Sequence, residues 1–428
     1  MFSIQGEDMS NFIVPVVLID AIEPIDGADF IELVKIGEYR TVIRKGLFKE
    51  NDKVVYIPEA SLVPDNIIES LGLTGKLSGS AKNRVKAIKL KSTLSQGLIM
   101  SAKDEWNVGD DVQEELGIFK WEPPIPETLN GKVCSANQEY TMVYDIENFK
   151  YFPDLIEQDE PVVISEKLHG SCCFMTLLSE NILFEKEIFD TIVIDPGGYD
   201  EVSGVRTYPI TEKLVKGVER IDYFAASKGL SKLGLVFDVY SNRDNAYIKA
   251  ATKYDVFKKM KNSVLIKKHM DSYKESKGKD CVFHLLGEVY GCNIQDLGYS
   301  VPGTEDAMFR VFDAFVGLRS GGRFLNDDEL EELLLELDLP RVPVLYKGPF
   351  SKEKLYELTE GKEMVSGKNL HIREGVVVRP LVERTSKESV HLSKKFDRGL
   401  KFDGIFDRVQ LKNVSASYLT RKNATEFT

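Results

Sequence analysis

From Val14 to about Ser101 the chain alternates short β-branched runs with clusters of turn residues. Val16–Ile19, Ile31–Ile36, Thr41–Arg44 and Lys53–Ile57 are separated by Pro24-Ile25-Asp26-Gly27 and Glu50-Asn51-Asp52. This is the pattern of short strands joined by tight turns. A short helix is predicted over Asp65–Leu71, and strand signals return at Val85–Leu90 and Gly97–Met100. The strand count is close to the five strands of an OB-type barrel. Trp121-Glu122-Pro123-Pro124-Ile125-Pro126 follows, and prolines at that density sustain neither a helix nor a central strand. The pattern therefore divides the chain into a module at 1–120, a linker at 121–135 and a larger body at 136–428.

The larger body alternates strand and helix signals, as expected of an α+β domain. Helices are predicted over Asp244–Met260 and over Asp327–Leu337, the latter with Asn326 or Asp327 as its N-cap. Strands are predicted at Val282–Glu288, Phe309–Phe315, Gly375–Arg379 and Val409–Lys412. Ahead of them stands Val162 to Ser171, VVISEKLHGS. Val162, Val163 and Ile164 read as a buried strand, because β-branched residues fit a pleated surface and the run is too short for a helix. The strand ends on Lys167, and Gly170 permits a tight turn behind it. A lysine at a strand end beside apolar neighbours that disfavour its charged form is placed as a lysine nucleophile must be.

Composition narrows the class of protein. The 428 residues are 43% hydrophobic and 10% aromatic, which is ordinary for globular chains. No apolar run of 18 or more residues occurs, and MFSIQGEDMSNF lacks the basic and apolar regions of a signal peptide. The expectation is a soluble cytoplasmic protein that does not enter a membrane. Cys134, Cys172, Cys173, Cys281 and Cys292 are scattered without zinc-site spacing and read as reduced thiols. A net charge of −12 excludes a surface uniformly adapted to phosphate. Local basic segments remain, one with Lys82, Arg84, Lys86, Lys89 and Lys91, the other from Lys394 to Lys422.

Further stretches stand downstream of EKLHG in a fixed order. They are Ser227-Lys228-Gly229, HLLGEVYG with Glu288, FRVFDAFV with Phe312 and Asp313, REGVVVRP with Glu374, and VQLKNVSASYL with Lys412. Six such phrases spread over 245 residues (412 − 167) resemble the ordered motif set of the covalent nucleotidyltransferases, the superfamily of ATP-dependent DNA ligases, RNA ligases and mRNA capping enzymes. VIRKGLFKENDKVVYIPEASLVP and LSQGLIM resemble the OB-like modules of certain tRNA-binding proteins and RNA ligases. Nearly the whole chain resembles the Deinococcus-type RNA ligase family, in which an OB-like module precedes the transferase domain. DNA ligases and capping enzymes usually carry an OB domain after the fifth motif; this chain ends sixteen residues (428 − 412) past Lys412, which favours RNA ligase.

The resemblance implies an α+β transferase domain of the ATP-grasp-like ligase type, with antiparallel sheets flanked by helices. It implies ATP and Mg²⁺ or Mn²⁺, and a monomer acting on RNA ends that bear 3′-OH and 5′-phosphate at nicks in duplexes. Lys167 would attack the α-phosphorus of ATP, giving lysyl-AMP. Lys412 would stabilise charge on the α-phosphate, and Lys228 would serve nearby at ribose or phosphate. Glu374 is the expected metal-side carboxylate; Glu288 would bind ribose hydroxyls or support the metal. Phe312 would stack on adenine, with Phe309 as competitor on the opposite strand face. Glu166 and Leu168 would line the adenine pocket beside Gly170, and His169 reads as a structural hydrogen-bonder. Arg84, Lys86, Lys89 and Lys91 are candidates for phosphate positioning. Other readings are a DNA ligase, a capping-type transferase, or a non-catalytic RNA-binding protein.

Two features depart from the pattern. Gln410 stands where many members have a first fifth-motif lysine, so one phosphate contact is either missing or supplied by Lys394, Lys395 or Lys401. More than fifty residues separate EKLHG from Ser227-Lys228-Gly229, implying an insertion at about 185–222 that serves as a lid, a partner surface or an RNA contact.

Overall fold

The computed structural model describes residues 12–121, 131–180, 182, 185–195, 198–199, 206–207, 210–237, 239, 241–291, 294–297, 299, 307–385 and 408–421, with backbone only from 185 to 220. Linker residues 122–130, Cys292 and the basic cluster at Lys394, Lys395 and Lys401 lie outside them. The other four cysteines are free thiols.

The N-terminal module is built of short antiparallel strands. Val16–Leu18, Lys53–Ile57 and Leu98–Ser101 form one sheet, with Lys53–Ile57 in the centre. Ala21–Pro24, Ile31–Ile36 and Tyr39–Arg44 form a meander, and Ile88–Leu90 pairs with Thr93–Ser95. Strand Lys53–Ile57 is buried on both faces, so its successive residues serve two cores. Val55 and Ile57 pack with Ile67, Ile68 and Trp106, whereas Val54 and Tyr56 pack with Val34, Ile43 and Ile99.

This module is seated on the rest of the chain through a polar seam. Lys150 Nζ donates to Gln96 Oε1 at 2.5 Å, the Tyr39 and Tyr151 rings lie 5.3 Å apart, and Tyr356 donates to Glu38 at 2.5 Å. Burial pushes the Glu59 carboxyl up to about 7, with Lys150 and Gln96 opposing.

The larger body is α+β and contains two principal sheets. A seven-stranded sheet runs in the order Val133–Ser135, Leu235–Phe237, Tyr223–Ser227, Ser171–Leu178, Val282–Tyr290, Met308–Gly317, Arg323–Phe324. A five-stranded sheet runs Glu147–Asn148, Leu411–Val414, Gly375–Pro380, Pro161–Lys167, Val344–Pro349. Helices Ala246–Lys253, Val256–Asn262, Val264–Lys277 and Asp327–Leu337 contribute Ile248, Met260, Ile266 and Leu333 to the core over one face of the larger sheet. Helix Lys352–Thr359 sets Leu355 against Val162, Ile164, Val376 and Val378 of the smaller.

The expected single helix Asp244–Met260 is two helices. Asp255 takes φ 51° between them, a left-handed conformation that an aspartate tolerates and an α-helix does not. Asn245 caps the first through its side chain, accepting from Tyr247 N–H at 2.9 Å. The predicted helix Asp327–Leu337 forms over those residues with Asn326 as its cap. In the insertion, Glu185–Asp195 and Ile210–Arg220 pair as an antiparallel ribbon.

Candidate active site

EKLHG lies where the chain passes from one sheet to the other. Pro161–Lys167 is an interior strand of the smaller sheet, and Ser171–Leu178 is the next strand of the larger one. Only Leu168, His169 and Gly170 make the crossing, so Lys167 is held at the junction. Gly170 is required there by close approach: a Cβ would stand 2.4 Å from the Val289 carbonyl oxygen and 2.9 Å from Glu288 Cγ. In return the Gly170 N–H donates to the Glu288 carboxylate.

Strand pairing brings the distant motifs to this junction. Lys167 is opposite Gly375, which places the preceding Glu374 beside it, and Lys167 Nζ meets Glu374 Oε1 at 2.7 Å. Lys412 follows on the neighbouring strand, opposite Val377. Glu288 is opposite Cys172 on the larger sheet. Burial pushes the Glu288 carboxyl up to about 8, Lys167 working against the shift and Glu374 adding to it. Lys228 opens helix Lys228–Lys232, which Ser227 caps.

Two acids that the motif pattern did not single out complete the cluster. Asp145 Oδ1 accepts from Lys228 Nζ at 2.9 Å. Its burial would raise the carboxyl, but Lys228 and Lys412 together hold it below the ordinary range. Glu147, paired beside Leu411, is pushed up to about 7 by burial and by Asp145. Burial also lowers Lys412, against the pull of Asp145 and with help from Lys228, Lys167 and Lys120. Lys120 belongs to strand Phe119–Lys120 of the N-terminal module, so that module contributes positive charge to the same field. Nothing in the local spacing of YDIEN marks Asp145 or Glu147; pairing with the fifth-motif strand is what brings them in.

The apolar wall is also assembled across sheets. Leu168 is buried with Tyr290, Tyr299 and Val342, and Phe312 packs against this group. The Phe312 ring stacks on Tyr144 with centroids 5.6 Å apart. Phe309 is fully buried under the helices with Leu285 and Val311, its ring filling the space above Gly287. A register shift between Leu286 and Gly287 accompanies this change of face, so that of the two rings Phe312 lies beside Leu168.

The remaining candidates are placed elsewhere. Glu166 shares the strand face of Val162 and Ile164, opposite Lys167, and its Oε2 accepts from Met364 N–H at 2.9 Å; burial pushes it up to about 7. The side chain is therefore not brought to the lysine cluster. Gln410 is buried and accepts from Tyr144 Oη at 3.1 Å and from Arg408 at 2.9 Å. It is a packing residue between the sheets, tied to the Arg408–Asp313–Glu383 ion network. Arg84 is 2% exposed with its guanidinium 4.1 Å from the Trp121 ring centroid, which removes it from the exposed basic set. Lys89 and Lys91 are exposed, and Lys86 is half-buried.

Among the described residues no group of three or more His, Cys, Asp or Glu side chains is arranged to hold a metal. Nor, among them, is any helix long and apolar enough to cross a membrane.

Known proteins share this architecture. A profile of an OB-fold domain matches residues 13–102. A search of curated proteins returned no significant match. The structure is similar to Naegleria gruberi RNA ligase in several states. For a mutant with AMP and Mn the TM-score is 0.63 at 20% identity, covering 95% of this chain and 98% of that one. For a mutant with ATP and Mn the TM-score is 0.63 at 19% identity, with the same coverage. For the form with PPi it is again 0.63 at 19% identity, covering 96% and 98%. The RNA ligase profile matches residues 160–396, more than half of the sequence and including EKLHG, HLLGEVYG and REGVVVRP, and the chain belongs to the RNA ligase family.

Proposed function

We propose that this chain is an ATP-dependent RNA ligase working through a lysyl-AMP on Lys167, with residues 1–120 as an OB-fold RNA-binding module and 136–428 as the transferase domain. The observation that carries the reading is the junction itself. Three lysines from three separate motifs, Lys167, Lys228 and Lys412, share one field with Glu288, Glu374 and Asp145. Phosphoryl-transfer chemistry asks a protein chiefly for positioning and electrostatic stabilisation, and this set supplies both.

In the first step the Lys167 amine forms an N–P bond to the α-phosphorus as the bond to pyrophosphate breaks. Lys412 and Lys228 face the oxygens on which charge develops. Leu168 and Phe312 form an apolar wall for the adenine, a flat contact suited to stacking. AMP then passes from Lys167 to an RNA 5′-phosphate, giving a 5′–5′ pyrophosphate linkage, and a 3′-OH displaces AMP to form the phosphodiester. The nicked-duplex substrate is part of the proposal, and Lys86, Lys89 and Lys91 are its candidate phosphate contacts.

The residues also suit a divalent cation. Glu374 Oε2 is buried without a hydrogen-bond partner, and burial raises the neighbouring Glu288 carboxyl although Lys167 and Lys228 oppose the shift. Mg²⁺ or Mn²⁺ bound by one or two such carboxylates keeps several waters, and when bound it neutralises phosphate charge.

Incubation with α-labelled ATP or GTP and Mg²⁺ or Mn²⁺ tests the reading. Covalent label from ATP, absent in Lys167→Ala, is expected. No label on the wild type, or label that survives Lys167→Ala, sinks the proposal. Closure of nicks with ribonucleotides on the 3′-OH side is expected as well, and closure of all-DNA nicks alone would reject the RNA assignment.

A further inference from the structure

Behind the nucleophile lies a second polar cluster that none of the roles above uses. His169 is buried, and both of its ring nitrogens are engaged. Nε2 lies 2.5 Å from Asp296 Oδ1, and Nδ1 lies 2.8 Å from the Tyr418 hydroxyl. Arg421 grips the same carboxylate, with Nε 3.0 Å from Oδ2 and Nη2 3.2 Å from Oδ1. Its guanidinium lies 3.6 Å from the Tyr418 ring centroid and donates to the Tyr418 carbonyl at 2.9 Å. The His169 backbone N–H donates to the Tyr299 hydroxyl at 2.8 Å. The side chains of His169, Asp296 and Arg421 are 6, 10 and 7% exposed, so the cluster is shielded from solvent.

A buried carboxylate is retained only when it is paired and hydrogen-bonded. Burial would raise Asp296, but the bonds from His169 and Arg421 hold it well below the ordinary carboxylate range. An ionised carboxylate only accepts, so His169 Nε2 carries a proton toward it.

The cluster closes two arms of the active site on one point. The first arm runs from Lys167 through Leu168 to His169. The second runs from Glu374, whose carbonyl accepts from Ser415 N–H at 2.8 Å, through the short helix Ala416–Leu419 to Tyr418 and Arg421. Both arms end on Asp296, and the two groups they carry, Lys167 Nζ and Glu374 Oε1, are the pair found 2.7 Å apart. His169 Nδ1 stands 3.9 Å from Glu374 Oε2, too far for a hydrogen bond. The coupling therefore runs through the backbone and the helix rather than by a direct hydrogen bond.

We infer that Asp296 is a positioning residue for the adenylylation step: through His169 and Arg421 it fixes the motif turn against the C-terminal helix and so sets Lys167 and Glu374 relative to each other. This rests on the lysyl-AMP reading above. Asp296 touches neither the reacting lysine nor its carboxylate, so its loss shows in the rate of the step rather than in nucleotide affinity.

The test is single-turnover lysyl-AMP formation on the full-length protein with α-labelled ATP and Mn²⁺, over a range of ATP concentrations. Asp296→Asn keeps the shape and removes the charge. It is expected to lower the saturating rate constant about 100-fold, the scale of a displacement of about 1 Å at a reacting group, while half-saturating ATP moves less than about threefold. Asp296→Glu should recover part of the rate, and the pair Asp296→Asn with His169→Ala should be no slower than the slower single variant, because the two act in one unit. Tyr418→Phe, which deletes one oxygen and keeps the ring, should lose roughly tenfold on the same misplacement scale. A wild-type rate in Asp296→Asn, a change confined to half-saturation, or additive losses in the double variant would overturn the inference. Should Asp296→Asn show no cooperative unfolding, a wild-type rate in Tyr418→Phe overturns it instead. Wild-type protein that takes no label defeats the underlying ligase reading, whereas a labelled wild type with an equally fast Asp296→Asn defeats only the positioning role.

Discussion

Gly170→Ala puts the sheet crossover to a quantitative test. The new Cβ would stand 2.4 Å from the Val289 carbonyl oxygen, against about 3.3 Å for the closest ordinary carbon–oxygen approach. The turn must therefore retreat by roughly 0.9 Å (3.3 − 2.4), and Glu288 Cγ at 2.9 Å blocks an easy route. Overpacking of this kind costs about 1–3 kcal/mol. Loss of the Gly170 N–H bond to the Glu288 carboxylate adds about 1–3 kcal/mol if that group is left unsatisfied. The expected loss of stability is about 2–6 kcal/mol, read from the urea midpoint. Displacing Lys167 by nearly 1 Å should slow lysyl-AMP formation about 100-fold. Gly229→Ala is the control, since nothing lies within 4 Å of its Cβ and it sits inside helix Lys228–Lys232. There alanine should stabilise by about 0.5–1 kcal/mol and leave labelling intact. A Gly170→Ala protein as stable and as fast as wild type would refute the crossover argument, as would greater damage from Gly229→Ala.

Three further outcomes are expected. Glu59, raised from 4.5 to about 7 by burial, keeps its proton longer when folded than when unfolded, so its contribution to stability is fully present below about pH 4.5 and is lost as pH rises through 7. Glu59→Gln should flatten that slope and stabilise the protein at pH 8 by at most about 3 kcal/mol, at about 1.4 kcal/mol per pH unit; an unchanged pH profile of the urea midpoint counts against the seam. Lys89→Ala and Lys91→Ala should each weaken RNA binding with a salt slope shallower by about 1, whereas Arg84→Ala should destabilise the module and leave the salt slope of the folded protein alone. Phe309→Ala should cost about 3–5 kcal/mol of stability, while Phe312→Ala should raise half-saturating ATP with a smaller stability loss; equal effects of the two on ATP would contradict their assignment to opposite faces.

Much of the molecule is written in local pattern. Strands Ile31–Ile36 and Lys53–Ile57 fall on the predicted residues, because β-branched runs bounded by turn residues leave few alternatives. Lys167 ends its strand as the run VVISEK requires. The ordered phrases around Glu288, Glu374 and Lys412 are legible because their residue types and sequence order survive without knowledge of their distances. The helix break at Asp255 is not, since apolar spacing on both sides continues through a residue whose backbone conformation no periodicity records.

What the sequence determined was which groups exist and in what order: a lysine at a strand end, two carboxylates, two further lysines and two aromatic rings three positions apart. Tertiary structure decided which of them meet. Parallel pairing of Glu147–Asn148 with Leu411–Val414 brought Asp145 and Glu147 into the lysine field, and a separation of 127 residues hid Asp296 from His169. The face of a strand set Phe312 beside Leu168 and Phe309 under the helices, and put Glu166 on Met364 N–H rather than in the lysine cluster. Burial made Gln410 and Arg84 packing residues, although both stood in chemically suggestive phrases. The physical reason is common to all of these: side-chain identity is local, but electrostatic field, desolvation and contact depend on neighbours that only sheet pairing supplies.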